Sequence, residues 1–178
     1  MRKNPTRLMQ GRIAELAIGT STLRNQGAPG VLSAARKFLK QLDLAAFRTR
    51  TPERFQARLN MTTRHLKGRL PRGARNWGAA RKAVNIFLRD VLYNHYLRSR
   101  HTLNRLEEWL EVPLDRDVAA ALRGESEGAA LPRWKTIKRL TPDVSRRYQS
   151  VAQVVARRKG TQRVHLDLHY WRRRDGGT

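Results

Sequence analysis

Three features of the sequence predict an all-α fold. Apolar residues recur at three- and four-residue spacing along most of the 178 residues, no useful stretch alternates apolar with polar, and three runs open on a capping residue followed by proline.

Asn4-Pro5 reads as a cap and first helical residue, with Met9, Ile13 and Leu16 on one face. Glycine, serine and threonine between Gly19 and Gly30 break the pattern. The next helix carries Leu32, Ala35, Leu39 and Leu42. Thr51-Pro52 starts another, with Phe55, Leu59 and Leu66. A turn at Leu70-Pro71-Arg72-Gly73 precedes the longest stripe, Val84, Phe87, Leu88, Val91 and Leu92. Leu103, Leu106 and Leu110 predict one helix that stops near Pro113, and a short helix is expected from Asp115 or Arg116 to Gly124. Thr141-Pro142 opens a helix with Val144, Tyr148, Val151 and Val155. Val164 to Trp171 fits a helix or a strand by pattern alone. The expected organisation is one domain over residues 1–171 and a loose basic tail over 172–178.

Lysine and arginine number 38 against 14 acidic residues, a net charge of +24. So large an excess on a chain with 39% hydrophobic residues belongs to a folded surface, and it suits a polyanion. Nucleic acid is the expected partner. Arginine dominates, and its planar fork grips phosphate in two-point contacts that lysine cannot make. No apolar run of about 18 residues and no secretory signal pattern is present, so no membrane is expected and the expected location is the cytoplasm. The absence of cysteine excludes disulfides, thiolate metal sites and cysteine nucleophiles. Nor is there a phosphate-cradling glycine loop or a Gly-x-Ser-x-Gly elbow. His165 and His169 have a spacing that can share a metal. Leu166, however, stands where a zinc protease needs glutamate, and two hydrogen-bonding histidines are the plainer reading.

One constellation carries more chemistry. Lys82 follows Trp77-Gly78-Ala79-Ala80-Arg81, placing an amine near a helix start, where a neutral lysine is a competent nucleophile towards a sugar C1′. Val112-Pro113-Leu114-Asp115 puts a carboxylate at the next helix start. Asp167 and Trp171 share a helical face, an acceptor beside an aromatic plate. Each has a plain structural reading too: solvated lysine, N-cap, partner of Arg163, core filler.

Taken in order, Lys82, then Val112-Pro113-Leu114-Asp115 with Val118 following, then the Asp167/Trp171 spacing, resemble the helix–hairpin–helix DNA glycosylases. Among these the chain is most similar to the archaeal 8-oxoguanine DNA glycosylases, whose catalytic lysine and aspartate lie far apart in sequence. The resemblance spans roughly residues 75–172. It departs at Ile86, where an aromatic is expected and Phe87 is the adjacent candidate, and at a hairpin unlike Leu-Pro-Gly-Val-Gly.

The resemblance implies a fold of helix–hairpin–helix glycosylase type and a catalytic pair, Lys82 and Asp115. Asp167, Trp171, Gln26, Trp77, Phe87 and Pro113 would hold a base flipped from duplex DNA, with Arg72, Arg75 and Arg81 on the backbone. Lys82 would expel the base and leave a Schiff base able to cut the strand. No metal or small-molecule cofactor is implied, and one copy of the chain is expected. The setting would be base-excision repair or defence against DNA with modified bases. Two other classes compete: a non-catalytic helical DNA- or RNA-binding protein, and a nuclease using His165 or His169.

Overall fold

The computed structural model describes residues 4–23, 26–126 and 130–171, and of Trp171 only the backbone. The chain is a single, all-helical domain with no strand among the described residues. In order come α1 (Pro5–Ala17), α2 (Val31–Lys40), α3 (Pro52–Arg69), α4 (Trp77–Tyr93), α5 (His95–Arg100), α6 (Leu106–Trp109), α7 (Arg116–Gly124), α8 (Pro142–Arg158) and α9 (Leu166–Trp171). Short 3-10 turns lie at Ala45–Phe47, Arg72–Ala74, Ile137–Arg139 and Arg163–His165. The predicted tail, 172–178, and part of the predicted loop after Gly124 lie outside the described residues.

The cap-and-proline starts form as the sequence predicts. Asn4, Thr51 and Thr141 accept from the backbone N–H groups of Thr6 (2.9 Å), Arg54 (3.3 Å) and Val144 (3.3 Å). Each satisfies a donor that the first helical turn cannot, a contribution of about 1 kcal/mol.

Three elements differ from expectation. On α1 the buried residues are Gln10, Ala14 and Ala17, while Leu16 is 67% exposed. Gln10 turns inward because its Nε2 donates to the carbonyls of Leu39 (2.9 Å) and Leu42 (2.8 Å), at the end of α2 and just past it. Leu103, Leu106 and Leu110 are buried, yet only Leu106–Trp109 is helical there, since Thr102 takes a left-handed backbone (φ 55°). The unforeseen α5 begins at Asn94, which ends α4 and caps α5 through Leu97 N–H (2.9 Å). The ambiguous last element is helical.

The core has two parts. One gathers α1 to α6, including Val84, Phe87, Leu88, Val91 and Leu92 of the predicted stripe. The other gathers Val112, Leu114, α7, α8 and α9. Helix α4 serves both, because Trp77 at its start packs on the second. It is joined to α3 by the hairpin at 70–76 and packs against it. Residues 131–140 cross α4 at Gly78. A Cβ there would lie 2.0 Å from the Ile137 carbonyl oxygen, so only glycine admits the crossing.

Candidate active site

The seam between the two cores brings Lys82 and Asp115 together. Lys82 Nζ lies 3.6 Å from Asp115 Oδ2, the side chains 12% and 32% exposed. Asp115 also caps α7: its Oδ1 accepts from the N–H groups of Asp117 and Val118, each at 3.0 Å. One oxygen fixes the helix while the other faces the amine. Lys82 is the sixth residue of α4, in its second turn and so farther from the helix start than the sequence suggests, because Asn76 is the cap (Ala79 N–H, 2.8 Å).

Seven residues on, Arg89 shares that face of α4, and Tyr93 follows four later. Arg89 pairs with Asp167, and through Nε and Nη2 with Asp90 Oδ1 (3.0 and 2.9 Å). Asp167 therefore does not pair with Arg163. Burial lifts its carboxyl above the usual range, Arg89 opposes the rise, and Asp115 and Lys82 both act on it. Asp167 thus shares the electrostatic environment of the Lys82–Asp115 pair. Burial works against the Arg89 charge, but Asp90 and Asp167 more than offset it and raise its pKa. Tyr93 Oη lies 2.8 Å from His165 Nδ1, the rings stacked, and His165 Nε2 lies 2.8 Å from Glu107 Oε1. In the neutral ring Nε2–H donates to the carboxylate and Nδ1 accepts from the phenol. Burial first, then nearby carboxylates, push the Tyr93 phenol up to about 12 despite the opposing pull of Arg89. Three contacts, Lys82–Asp115, Arg89–Asp167 and Tyr93–His165, thus run along one side of α4.

Behind Lys82 the segment 109–112 is clamped from four elements. Arg81 Nε sits 2.9 Å from Glu111 Oε2, with the two side chains 4% and 6% exposed. Arg81 Nη1 donates to Thr63 (2.9 Å) and Nη2 to Asn60 (2.7 Å), while Asn85 donates to Glu111 Oε2 (2.9 Å). Arg163 donates to the carbonyls of Leu110 (3.0 Å) and Trp109 (2.7 Å). Gln149 Oε1 accepts from Val112 N–H (3.1 Å) and its Nε2 donates to Val112 O (2.8 Å). Burial pushes both guanidinium pKa values down, and Glu111 pulls each back up.

Several nominated residues belong to this scaffold. Arg81 is enclosed, so it is not placed to grip phosphate, and it stacks on Trp77 (5.0 Å). Trp77 is half-buried packing. Phe87 is fully buried in the first core, with no face open to a ligand, and Pro113 is buried as well. Gln26 is buried and accepts from Asn76 Nδ2 (2.8 Å), the cap of α4. It borders a cavity of about 840 Å³ whose walls come from α1, α2 and the loop between them. Arg72 and Arg75 are exposed on the hairpin, Arg75 Nε donating to Leu70 O (2.8 Å). The Trp171 side chain lies outside the described residues. Among the described residues no three His, Asp or Glu side chains cluster as metal ligands, and no helix is long and apolar enough to cross a membrane.

No family model, curated protein or solved structure matches the chain. The chemistry rests on these residues alone. Sequence reasoning missed Arg89, Tyr93, Glu107 and Glu111. Arg89 was recoverable as the residue seven beyond Lys82 on one helical face. Glu111 was recoverable as a lone carboxylate in the apolar run Leu110–Leu114.

Proposed function

We propose that the protein is a DNA glycosylase that removes a damaged or modified base through Lys82 and Asp115, with lyase chemistry following from a lysine nucleophile. The observation that carries this reading is the 3.6 Å approach of Lys82 Nζ to Asp115 Oδ2, from separate helices, in a chain of net charge +24.

DNA binding supplies the few kcal/mol needed to unstack a nucleotide. Lys82 Nζ passes a proton to Asp115 Oδ2 and, as the neutral amine, forms a bond to C1′ as the bond from C1′ to the base breaks; the bonding electrons leave with the base, which takes up the proton from Asp115. Asp115 Oδ2, held by the cap through Oδ1, stabilises the positive charge that develops on the sugar. Asp167, with Arg89 against it, offers acceptor and donor side by side to the base edge, and Trp171 is the candidate plate for its face. Arg72 and Arg75 grip the backbone. The same chemistry serves base-excision repair and defence against DNA carrying modified bases.

Borohydride trapping with duplexes carrying single 8-oxoguanine, uracil or bulky modified pyrimidines tests this reading. An adduct with one base, lost in Lys82→Gln and weakened in Asp115→Asn, is the expected result. Tight DNA binding without adduct or base release across a wide panel makes the chain a non-catalytic binder instead.

A further inference from the structure

Residues 131–140 form a strap with two unlike sides. Leu131, Trp134, Ile137 and Leu140, at every third position, pack on the second core. Trp134 meets Tyr148 edge-on at 6.0 Å, and Tyr148 Oη donates to Pro132 O (2.7 Å). Between these anchors Arg133, Lys135, Lys138 and Arg139 are exposed. The strap reaches α4 at Gly78, one turn before Lys82 on the same helical face.

The loop at 26–30 meets the strap, and the hairpin meets that loop. Lys138 Nζ lies 3.6 Å from where a Cβ of Gly27 would sit, and a Cβ on Gly73 would lie 3.6 Å from Ala28 Cβ and 3.8 Å from Gly27 O. The Gln26–Asn76 hydrogen bond ties the loop to the hairpin. No acidic residue occurs in 26–30, 54–89 or 130–142. Among the described residues no carboxylate pairs with Arg72, Arg75, Lys138 or Arg139. A solvated charge run needs neither fixed backbone nor exclusion of acids; this rim has both.

We propose that Lys138 and Arg139 of the strap, with Arg72 and Arg75 of the hairpin, bind successive phosphates of the DNA strand that presents its nucleotide to Lys82. The inference rests on the DNA reading of that site, and it adds the strap, which the resemblance to known glycosylases does not supply.

Affinity of the full chain for a short duplex, measured against sodium chloride concentration, tests it. Each phosphate contact adds about 0.9 to the slope of log K against log salt. Lys138→Ala/Arg139→Ala is expected to make the slope shallower by roughly 1.8. Arg7→Ala/Arg12→Ala, an equal charge loss on α1, is expected to leave it unchanged. An unchanged slope in the strap variant, or an equal fall in both variants, overturns the proposal. So does an effect confined to an RNA duplex of the same sequence. Borohydride adducts are scored separately. Adduct formation with an unchanged strap slope removes the strap alone, whereas a shallower slope with no adduct from any base removes the glycosylase and leaves the rim standing.

Discussion

Arg81 and Lys82 are neighbours on α4, and each faces a carboxylate of the stretch Glu111 to Asp115, yet the two pairs live in different media. The inner pair is 4% and 6% exposed at 2.9 Å, the outer 12% and 32% at 3.6 Å. The outer pair, half-buried and longer, is nearer the surface pairs that contribute about 0–1 kcal/mol, too little to hold two elements in register. A buried pair is costly to desolvate, but removing one partner costs roughly 3–5 kcal/mol because the other is stranded. The inner pair therefore fixes the distance at which the outer pair meets. The outer pair stays the more open of the two to solvent.

The comparison can be broken most severely at Arg81. Arg81→Ala is expected to lower stability by about 3–5 kcal/mol, read as a fall in the urea midpoint. Arg81→Met/Glu111→Leu is expected to recover most of that loss while zero-length carbodiimide coupling of Lys82 to Asp115, read by mass spectrometry, drops severalfold. Coupling equal to wild type would show that the inner pair is stability alone. At Asp115 the two functions of the carboxylate separate. Asp115→Ala should cost about 1 kcal/mol through the lost cap, whereas Asp115→Asn should cost only a few tenths and still abolish the coupling. Lys82→Gln should stay within about 0.5 kcal/mol of wild type. A larger loss would mean that the outer pair also holds the fold.

The smallest effect lies at the far end of the same helix face. With its phenol raised to about 12, Tyr93 keeps its proton after an unfolded tyrosine has lost one. Its contribution to stability is fully present below the ordinary tyrosine pKa of about 10 and is lost as pH rises towards 12. Tyr93→Phe should remove that decline, together with an ultraviolet tyrosinate step near pH 12.

What the sequence disclosed follows physical range. Caps act over three residues, so Asn4, Thr51, Asp115 and Thr141 were readable as helix starts. The α4 stripe was readable because one face of a long helix is buried throughout. Leu16 falls on the exposed side of α1 because the carbonyls that draw Gln10 inward lie at the end of α2 and just past it, which α1 itself does not announce. Lys82 and Asp115 could be nominated as a pair by resemblance. Arg81 and Phe87 were nominated with them, since a run of sequence carries no record of which side chains face the interior. The clamp on 109–112 draws on α3, α4, α8 and the turn before α9, and no local pattern encodes such a meeting.

Gln149 shows what that clamp demands of an all-helical chain. Val112 sits in an extended stretch with no neighbouring strand, and the Gln149 amide answers both its N–H and its carbonyl, as a flanking peptide would in a sheet. A single side chain thus acts as a one-residue β-partner, and it does so only at one rotation of α8. Asparagine is too short to reach, and glutamate would set a carboxylate against the Val112 carbonyl. The stretch that delivers Asp115 consequently keeps its register only while α8 keeps its own.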